Sequence, residues 1–236
     1  MKTVLVTGAT GGIGMALSER LAEQGYHVIG VARREDKLRE LSKALKNFDY
    51  IAADLSDSGA PAKIREALTS MGITKLDVLI NNAGYALRKP LLEHSNEELE
   101  KIFRVNTFAP TWLTKELLPF LGKGSKVVFV ISGVAFVNVP EIPSYCATKG
   151  ALHYLTINLE KELAERGIST IRVYPKQVKS EFWKGKIPKG SIEPEQVADA
   201  VLNGIKKNKR EVFVPGYLKL IKYLPNWPVF TYRFKY

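Results

Sequence analysis

Tyr145 and Lys149 stand four residues apart in a segment of helical period, Ser144 to Arg166, so on a helix their heads share one face and converge on one cavity. A phenol with an ordinary pKa of ~10 exchanges protons poorly at neutral pH, and a neighbouring ammonium favours the phenolate and brings the group toward the working range. The pair is a candidate proton-transfer unit, although the same spacing alone is commonly surface decoration. A second stretch, Thr7-Gly8-Ala9-Thr10-Gly11-Gly12-Ile13-Gly14, follows an apolar run and opens a helical one. Glycines at 8, 12 and 14 let the chain turn tightly and let a pyrophosphate approach the helix N-terminus, where free N–H groups and the dipole favour anions.

At the end of the second apolar run, dinucleotide sites that prefer NAD place an acid on the ribose 2′-hydroxyl. Here Ala32 is followed by Arg33 and Arg34, cations suited to a 2′-phosphate. Glu35 and Asp36 are an alternative pairing for both arginines and would satisfy the helix dipole.

Strands and helices must alternate to position these groups. β-Branched apolar runs fall at Thr3 to Thr7, Tyr26 to Val31, Asp49 to Ala53, Asp77 to Ile80, Lys126 to Ile131, Ser169 to Val173 and Glu211 to Val214. Helical periods lie between them at Gly12 to Gln24, Glu35 to Leu45, Ala60 to Ser70, Asn96 to Leu121, Ser144 to Arg166 and Pro194 to Lys207. Alternation on this scale predicts an α/β fold, a doubly wound seven-stranded parallel sheet with helices on both faces. The continuously apolar run Val127 to Ile131 fits a sheet covered on both sides. One dinucleotide-binding Rossmann domain, 1–236, is expected, with a lysine-rich loop at 176–191 and an aromatic, basic tail at 217–236.

Residues 7 to 14 read TGxxxGxG, and the chain resembles the short-chain dehydrogenase/reductase family. Asn81-Asn82-Ala83-Gly84 matches the family's NNAG, Asn106 its helix-4 asparagine, and Tyr145 to Lys149 its YxxxK, with Ser132 thirteen residues ahead of the tyrosine. The resemblance runs from the first strand to about the seventh. It implies NADP(H), in preference to NAD(H), and a hydride transfer between that cofactor and a carbonyl or alcohol. The implied catalytic group is Asn106, Ser132, Tyr145 and Lys149: Tyr145 transfers the proton, Ser132 orients the substrate oxygen, Lys149 bonds the nicotinamide ribose, and the Asn106 main chain holds a relay water. Read alone, Ser132 is a turn serine and Asn106 a capping or buried asparagine. Asp54 and Leu55 stand where the family contacts adenine, and Asn82, Ala83 and Gly84 where it lines the adenine ribose while bracing the sheet. Alone, Asp54 is a turn aspartate.

After the sixth strand the family's PGxVxT is replaced by Pro175-Lys176-Gln177-Val178-Lys179-Ser180. Pro175, Val178 and Ser180 remain candidate cofactor contacts. Lysine in place of glycine implies that the loop follows another path, or that Lys176 points at the cofactor's phosphates. The loop at 176–191 holds five lysines and Trp183, a candidate substrate contact, and resembles the family's mobile lid. Lys184, Lys186 and Lys189 suit an acyl thioester carrier, whereas a small ketone or aldehyde needs no such charge; plainly solvated lysines are the third reading.

Composition excludes several classes. With 45% hydrophobic and 25% charged residues, the 236-residue chain is of ordinary globular type. Its net charge of +11 is local, because residues 170–236 hold 14 basic against 5 acidic side chains. This is a basic face rather than a nucleic-acid groove. Cys146 is the only cysteine, which excludes an internal disulfide and suits a reducing cytoplasm. It lacks a placed histidine partner, and no metal-ligand spacing is present. The tail carries seven aromatics, four cations and no acid, and is expected to pack on the substrate cleft or a neighbouring subunit rather than on a membrane surface. Homodimers or homotetramers built on the helices at 96–121 and 144–166 follow from the resemblance. A non-catalytic NADP sensor and a membrane-peripheral protein working through its tail are the competing classes.

Overall fold

The computed structural model describes residues 1–183, 185–223 and 231–235. Seven strands, β1 (Thr3–Thr7), β2 (His27–Ala32), β3 (Phe48–Ala52), β4 (Val78–Asn81), β5 (Lys126–Val130), β6 (Ser169–Pro175) and β7 (Glu211–Val214), form one sheet. Their order is β3-β2-β1-β4-β5-β6-β7, with every neighbour pair parallel. The order reverses between β1 and β4, so their carboxyl ends open a crevice, the usual ligand position in such sheets.

Alternate side chains of each strand feed two cores. Val4 and Val6 pack with Leu17 and Leu21 of α1 (Gly12–Glu23), Leu38 of α2 (Glu35–Ala44) and Val197 and Val201 of α7 (Pro194–Lys206). Leu5 faces the opposite core, with Ile64 and Leu68 of α3 (Ala60–Ser70), Leu113 of α5 (Ala109–Glu116) and Leu152 and Leu163 of α6 (Pro143–Ala164). Each central strand is thereby buried on both faces, as its uninterrupted apolar sequence requires.

The expected single helix over Asn96 to Leu121 is in fact broken. A capping box of Ser95 and Glu98 starts α4 (Asn96–Phe103), a π-helical stretch spans Arg104–Phe108, and α5 follows before a 3₁₀ turn at Leu118–Phe120. The cause lies in sequence. Residue 110 is proline and has no N–H for the Asn106 carbonyl four residues before it, and the Ala109 N–H donates five residues back, to Arg104. The break falls at a residue named for its chemistry, where π-bulges often sit.

Candidate active site

The phosphate loop is shaped by two glycines. Gly8 has φ +68°, and a Cβ on Gly14 would stand 2.0 Å from the Gly8 carbonyl oxygen, so neither position admits a side chain. The Thr7 hydroxyl accepts from Asn82 N at 2.9 Å and Ala83 N at 3.1 Å, and Asn82 Nδ2 donates to the Thr7 carbonyl at 2.9 Å. Asn82 therefore ties the ends of β1 and β4 together, and its backbone, with Ala83 and Gly84, lines the crevice.

A cleft of about 1070 Å³ runs along the carboxyl ends of the strands. Gly8, Thr10, Gly12, Ile13 and Gly14 line it beside the α1 N-terminus; Arg33, Arg34, Asp54 and Leu55 line one end, and Ser132, Tyr145, Lys149, Pro175, Val178, Ser180 and Trp183 the other. Of the sequence-predicted residues only Asn106 is absent from the lining. It is fully buried behind the cleft, where Oδ1 accepts from Tyr85 N at 3.0 Å and Nδ2 donates to the Tyr85 carbonyl at 2.8 Å and to Thr148 Oγ1 at 3.1 Å.

Tyr145 and Lys149 share one face of α6, as their spacing requires, with the Lys149 Nζ 5.6 Å from the phenol ring centroid. The ammonium donates to the Val130 carbonyl at 2.9 Å. Burial lowers the Lys149 pKa to about 7. Burial also raises the Tyr145 phenol well above its ordinary value, the Cys146 thiol adds to the rise, and a hydrogen bond with Ser132 offsets part of it. The phenol is thus held in its proton-bearing form. The Ser132 hydroxyl also lies against Val134 N at 3.3 Å, a turn contact.

At the other end, burial raises the Asp54 carboxyl, but hydrogen bonds from Ser56 N and Oγ and the charge of Arg33 outweigh it and leave the pKa lowered. Arg34 pairs with neither Glu35 nor Asp36. Its Nη2 donates to the Thr10 carbonyl at 3.0 Å and its Nη1 meets Glu181 Oε2 at 3.2 Å, whereas Glu35 pairs with Arg39.

At Lys176 the backbone keeps to the sheet. β6 continues to Pro175, two residues past the predicted end, and Lys176 N donates to the Val214 carbonyl at 2.9 Å. Among the described residues only Asn47 and Asn208 have positive φ outside glycine, so no glycine backbone is needed at 176. The Lys176 ammonium lies beside Gly190 of the lid, 3.9 Å from where a Cβ there would stand. Ser180 packs instead against Gly12, its Cβ 2.8 Å from where a Cβ on that glycine would stand.

Trp183 is buried, with its indole N–H donating to the Val178 carbonyl at 2.7 Å. The tail reaches the cleft as expected, through Thr231, Tyr232 and Phe234, but sequence reasoning did not single out the neighbours of Trp183. Phe182 sits 5.3 Å from the Tyr145 ring and Phe234 4.8 Å from the Trp183 ring, both centroid to centroid, and Val137, Val139 and Ile142 line the same end. The apolar spacing of Val134 to Ile142 was the available signal for the last three. Lys186 and Lys189 are exposed and outside the cleft lining, and Lys184 lies outside the described residues. Burial pushes the Cys146 thiol up to about 11, which disfavours the thiolate. Among the described residues no His, Cys, Asp and Glu cluster could hold a metal ion, and no helix is long and apolar enough to cross a membrane.

The residues present fit a dinucleotide: a cradle that two Cβ atoms would fill, a helix N-terminus behind it, and cations at one end of an elongated cleft. Residues 2–189 match the family described as short chain dehydrogenase. A diacetyl reductase of the (S)-acetoin-forming type from Staphylococcus epidermidis is 32% identical over 189 residues, covering 77% of this chain and 73% of its own. The 17-beta-hydroxysteroid dehydrogenase 13 of Mus musculus is 30% identical over 98% of this chain and 79% of its own. Among solved structures, a short-chain dehydrogenase from Sphingobium yanoikuyae in complex with NADPH superposes with a TM-score of 0.83 at 27% identity, covering 93% of this chain and 90% of the other.

Proposed function

The chain belongs to the short chain dehydrogenase family, an oxidoreductase family, and from that premise we propose that it is an NADPH-preferring carbonyl reductase, acting in reverse as an alcohol dehydrogenase. Its substrate would be a ketone, aldehyde or 3-oxoacyl compound. The observation that carries this reading is the placement of Ser132, Tyr145 and Lys149 at one end of a cleft whose other end holds the glycine cradle and Arg33. NADPH-bound and reductase-named relatives support it.

A nicotinamide dinucleotide, when bound, supplies the hydride. The backbone N–H groups opening α1 and the glycine cradle would hold its pyrophosphate, Asp54 and Leu55 would border its adenine, and Arg33 would neutralise a 2′-phosphate. Ser132 donates to the substrate oxygen and orients it. Tyr145, kept protonated by its surroundings, delivers a proton to that oxygen as negative charge develops there. Lys149 then stabilises the resulting phenolate until it is reprotonated. Asn106 holds the Tyr85 backbone and so shapes the wall next to Lys149.

The exposed aromatics on the helices predicted to associate favour a homo-oligomer, and the lone cysteine favours a reducing cytoplasm. Fluorescence titration with NADPH and NADH, followed by turnover on ketones, aldehydes and a 3-oxoacyl thioester, tests the reading. NADPH-preferring binding with turnover supports it, and binding without turnover on any of them points to a nucleotide sensor.

A further inference from the structure

The part of the cleft beyond Ser132 and Tyr145 is walled by apolar side chains from three separate segments. Val137, Val139 and Ile142 come from the loop before α6, Phe182 and Trp183 from the lid, and Phe234 from the far end of the chain. None of these six side chains is charged; of the charged residues that line the cleft apart from Lys149, Arg33, Arg34, Asp54 and Lys101 lie toward the adenine end with Glu181 paired to Arg34, and Glu98 and Lys176 complete the set. A carboxylate or phosphate lodged against these side chains would lose its water to an apolar wall; the nearby Arg88 guanidinium is engaged with Trp183, 5.9 Å from its ring centroid and donating to its carbonyl at 3.5 Å.

The segment carrying Phe234 is tied to both rims. Tyr232 N donates to the Asn138 carbonyl at 2.8 Å, within a parallel bridge of Asn138 and Thr231, on the side of the loop after β5. Across the cleft, Lys189 N donates to the Lys235 carbonyl at 2.6 Å, and Gln177 Nε2 donates to the Tyr232 hydroxyl at 2.9 Å. Residues 231–235 thus form a strap from one wall to the lid, with Phe234 turned inward edge-to-face on Trp183.

We propose that the substrate is an uncharged ketone, or the matching secondary alcohol, bearing a large hydrocarbon or aromatic group, and that Phe234 on this strap is the specificity-determining wall that receives the group. The proposal rests on the reductase reading above and deepens it. In the reductive direction the carbonyl carbon gains the hydride and the oxygen gains the Tyr145 proton, while the apolar group remains unchanged against Phe234, Trp183 and Phe182. An acyl thioester carrier finds no place in this scheme, because the lid lysines at 186 and 189 stand outside the cleft.

The test compares 1-tetralone, butanone and acetoacetate as substrates with NADPH, alongside calorimetric binding of 1-tetralone to the NADPH-saturated protein. The expected kcat/KM for 1-tetralone exceeds that for butanone by ~10-fold or more, the scale of discrimination that buried hydrocarbon yields in a fitted pocket, and acetoacetate is the poorest. Phe234→Ala raises the 1-tetralone KM ~10-fold and lowers the 1-tetralone to butanone ratio of kcat/KM, with NADPH affinity kept. Phe234→Leu recovers most of the loss, and a chain ending at Phe230 repeats the alanine phenotype while still binding NADPH. A preference for acetoacetate, or an unchanged 1-tetralone KM and binding heat in both Phe234→Ala and the shortened chain, overturns the proposal. Phe234-dependent binding of 1-tetralone without turnover of any ketone upholds the wall and counts against the reductase reading instead.

Discussion

Arg34 bridges the phosphate loop and the lid, with one guanidinium nitrogen on the Thr10 carbonyl at 3.0 Å and another 3.2 Å from the Glu181 carboxylate. Both side chains are exposed, so the ion pair is worth at most ~1 kcal/mol and is screened by salt. Its position matters more than its strength. A 2′-phosphate arriving beside Arg33 would compete with Glu181 for the same guanidinium.

Glu181→Gln should therefore tighten NADPH binding by up to ~5-fold, the factor that corresponds to ~1 kcal/mol, with NADH affinity unchanged. Arg33→Ala should weaken NADPH far more than NADH. Titrations of both cofactors at low and at moderate ionic strength read the effect. Equal changes for the two cofactors would mean that the phosphate is bound elsewhere.

Tyr145→Phe removes one hydroxyl from a ring that the cleft already packs against Phe182. Turnover should fall by at least ~10³-fold, within the range general acid catalysis contributes, while NADPH affinity stays within about twofold. Steady-state rates and the NADPH titration on one preparation check both halves. Substantial residual reduction would remove Tyr145 from its assigned role.

Lys149 sets stability against function. Burial holds its pKa near 7 in the fold, against 10.5 in its absence, so between these values the unfolded chain binds a proton that the folded chain has released. Stability of the cofactor-free protein must then rise with pH across this window; the penalty is full below pH 7 and gone above about 10.5. Lys149→Met should stabilise the cofactor-free protein by on the order of 3 kcal/mol at pH 7 and flatten that slope, while abolishing turnover. Denaturation midpoints at pH 7 and pH 9 for both proteins decide the matter. A variant less stable than its parent at pH 7 would show that the Val130 carbonyl fully compensates the buried charge.

Most of this architecture was legible before any coordinates, because local and long-range signals coincide. The uninterrupted apolar run at Val127 to Ile131 can only be a doubly covered strand, and the glycines at 8 and 14 stand where any Cβ would collide with the facing loop. Three features were not legible, each for its own physical reason. Lys176 occupies a place where glycine is usual, yet its φ is unexceptional because β6 runs on to Pro175. Glu181 reaches Arg34 across 147 positions of sequence, which no local pattern encodes. Phe234 was marked only as one aromatic among seven in the tail, and its inward turn depends on backbone hydrogen bonds to Asn138 and Lys189. The helix break at Asn106 was within reach, since Pro110 stands where an α-helical N–H is needed.

Asn106 satisfies both backbone groups of Tyr85 from a fully buried site. Asn106→Ala leaves those two backbone groups without their partner, at ~1–3 kcal/mol for each that stays unpaired, while the Thr148 hydroxyl keeps its bond to the Tyr145 carbonyl. The expected thermal midpoint is lower by ~10 °C or more, on the scale of 2–4 °C per kcal/mol for a chain of this size. Asn106→Asp keeps the acceptor for Tyr85 N but loses the donor to its carbonyl, and should fall between. Thermal unfolding of the three proteins gives the order, and an alanine variant as stable as its parent would refute the bracing role.

The outer faces of the two helical segments predicted to associate carry large rings exposed to solvent. Phe108 and Trp112 are 40% and 36% exposed with ring centroids 5.5 Å apart, and Tyr154 of α6 is 65% exposed. Exposed rings of this kind suit a contact between proteins. A two-fold contact places each patch against its own copy, so one substitution removes two anchors per dimer. Trp112→Glu should lower the mass of the expected homodimer or homotetramer at micromolar concentration, because losing a central aromatic anchor commonly costs ~2 kcal/mol or more and a buried unpaired charge adds to it. The glycine cradle and the Tyr145 end lie on the carboxyl ends of the strands rather than on these helix faces, so NADPH affinity should survive the change. Light scattering across a concentration series checks the mass, and a variant with the parental mass would place the association, if any, on another face.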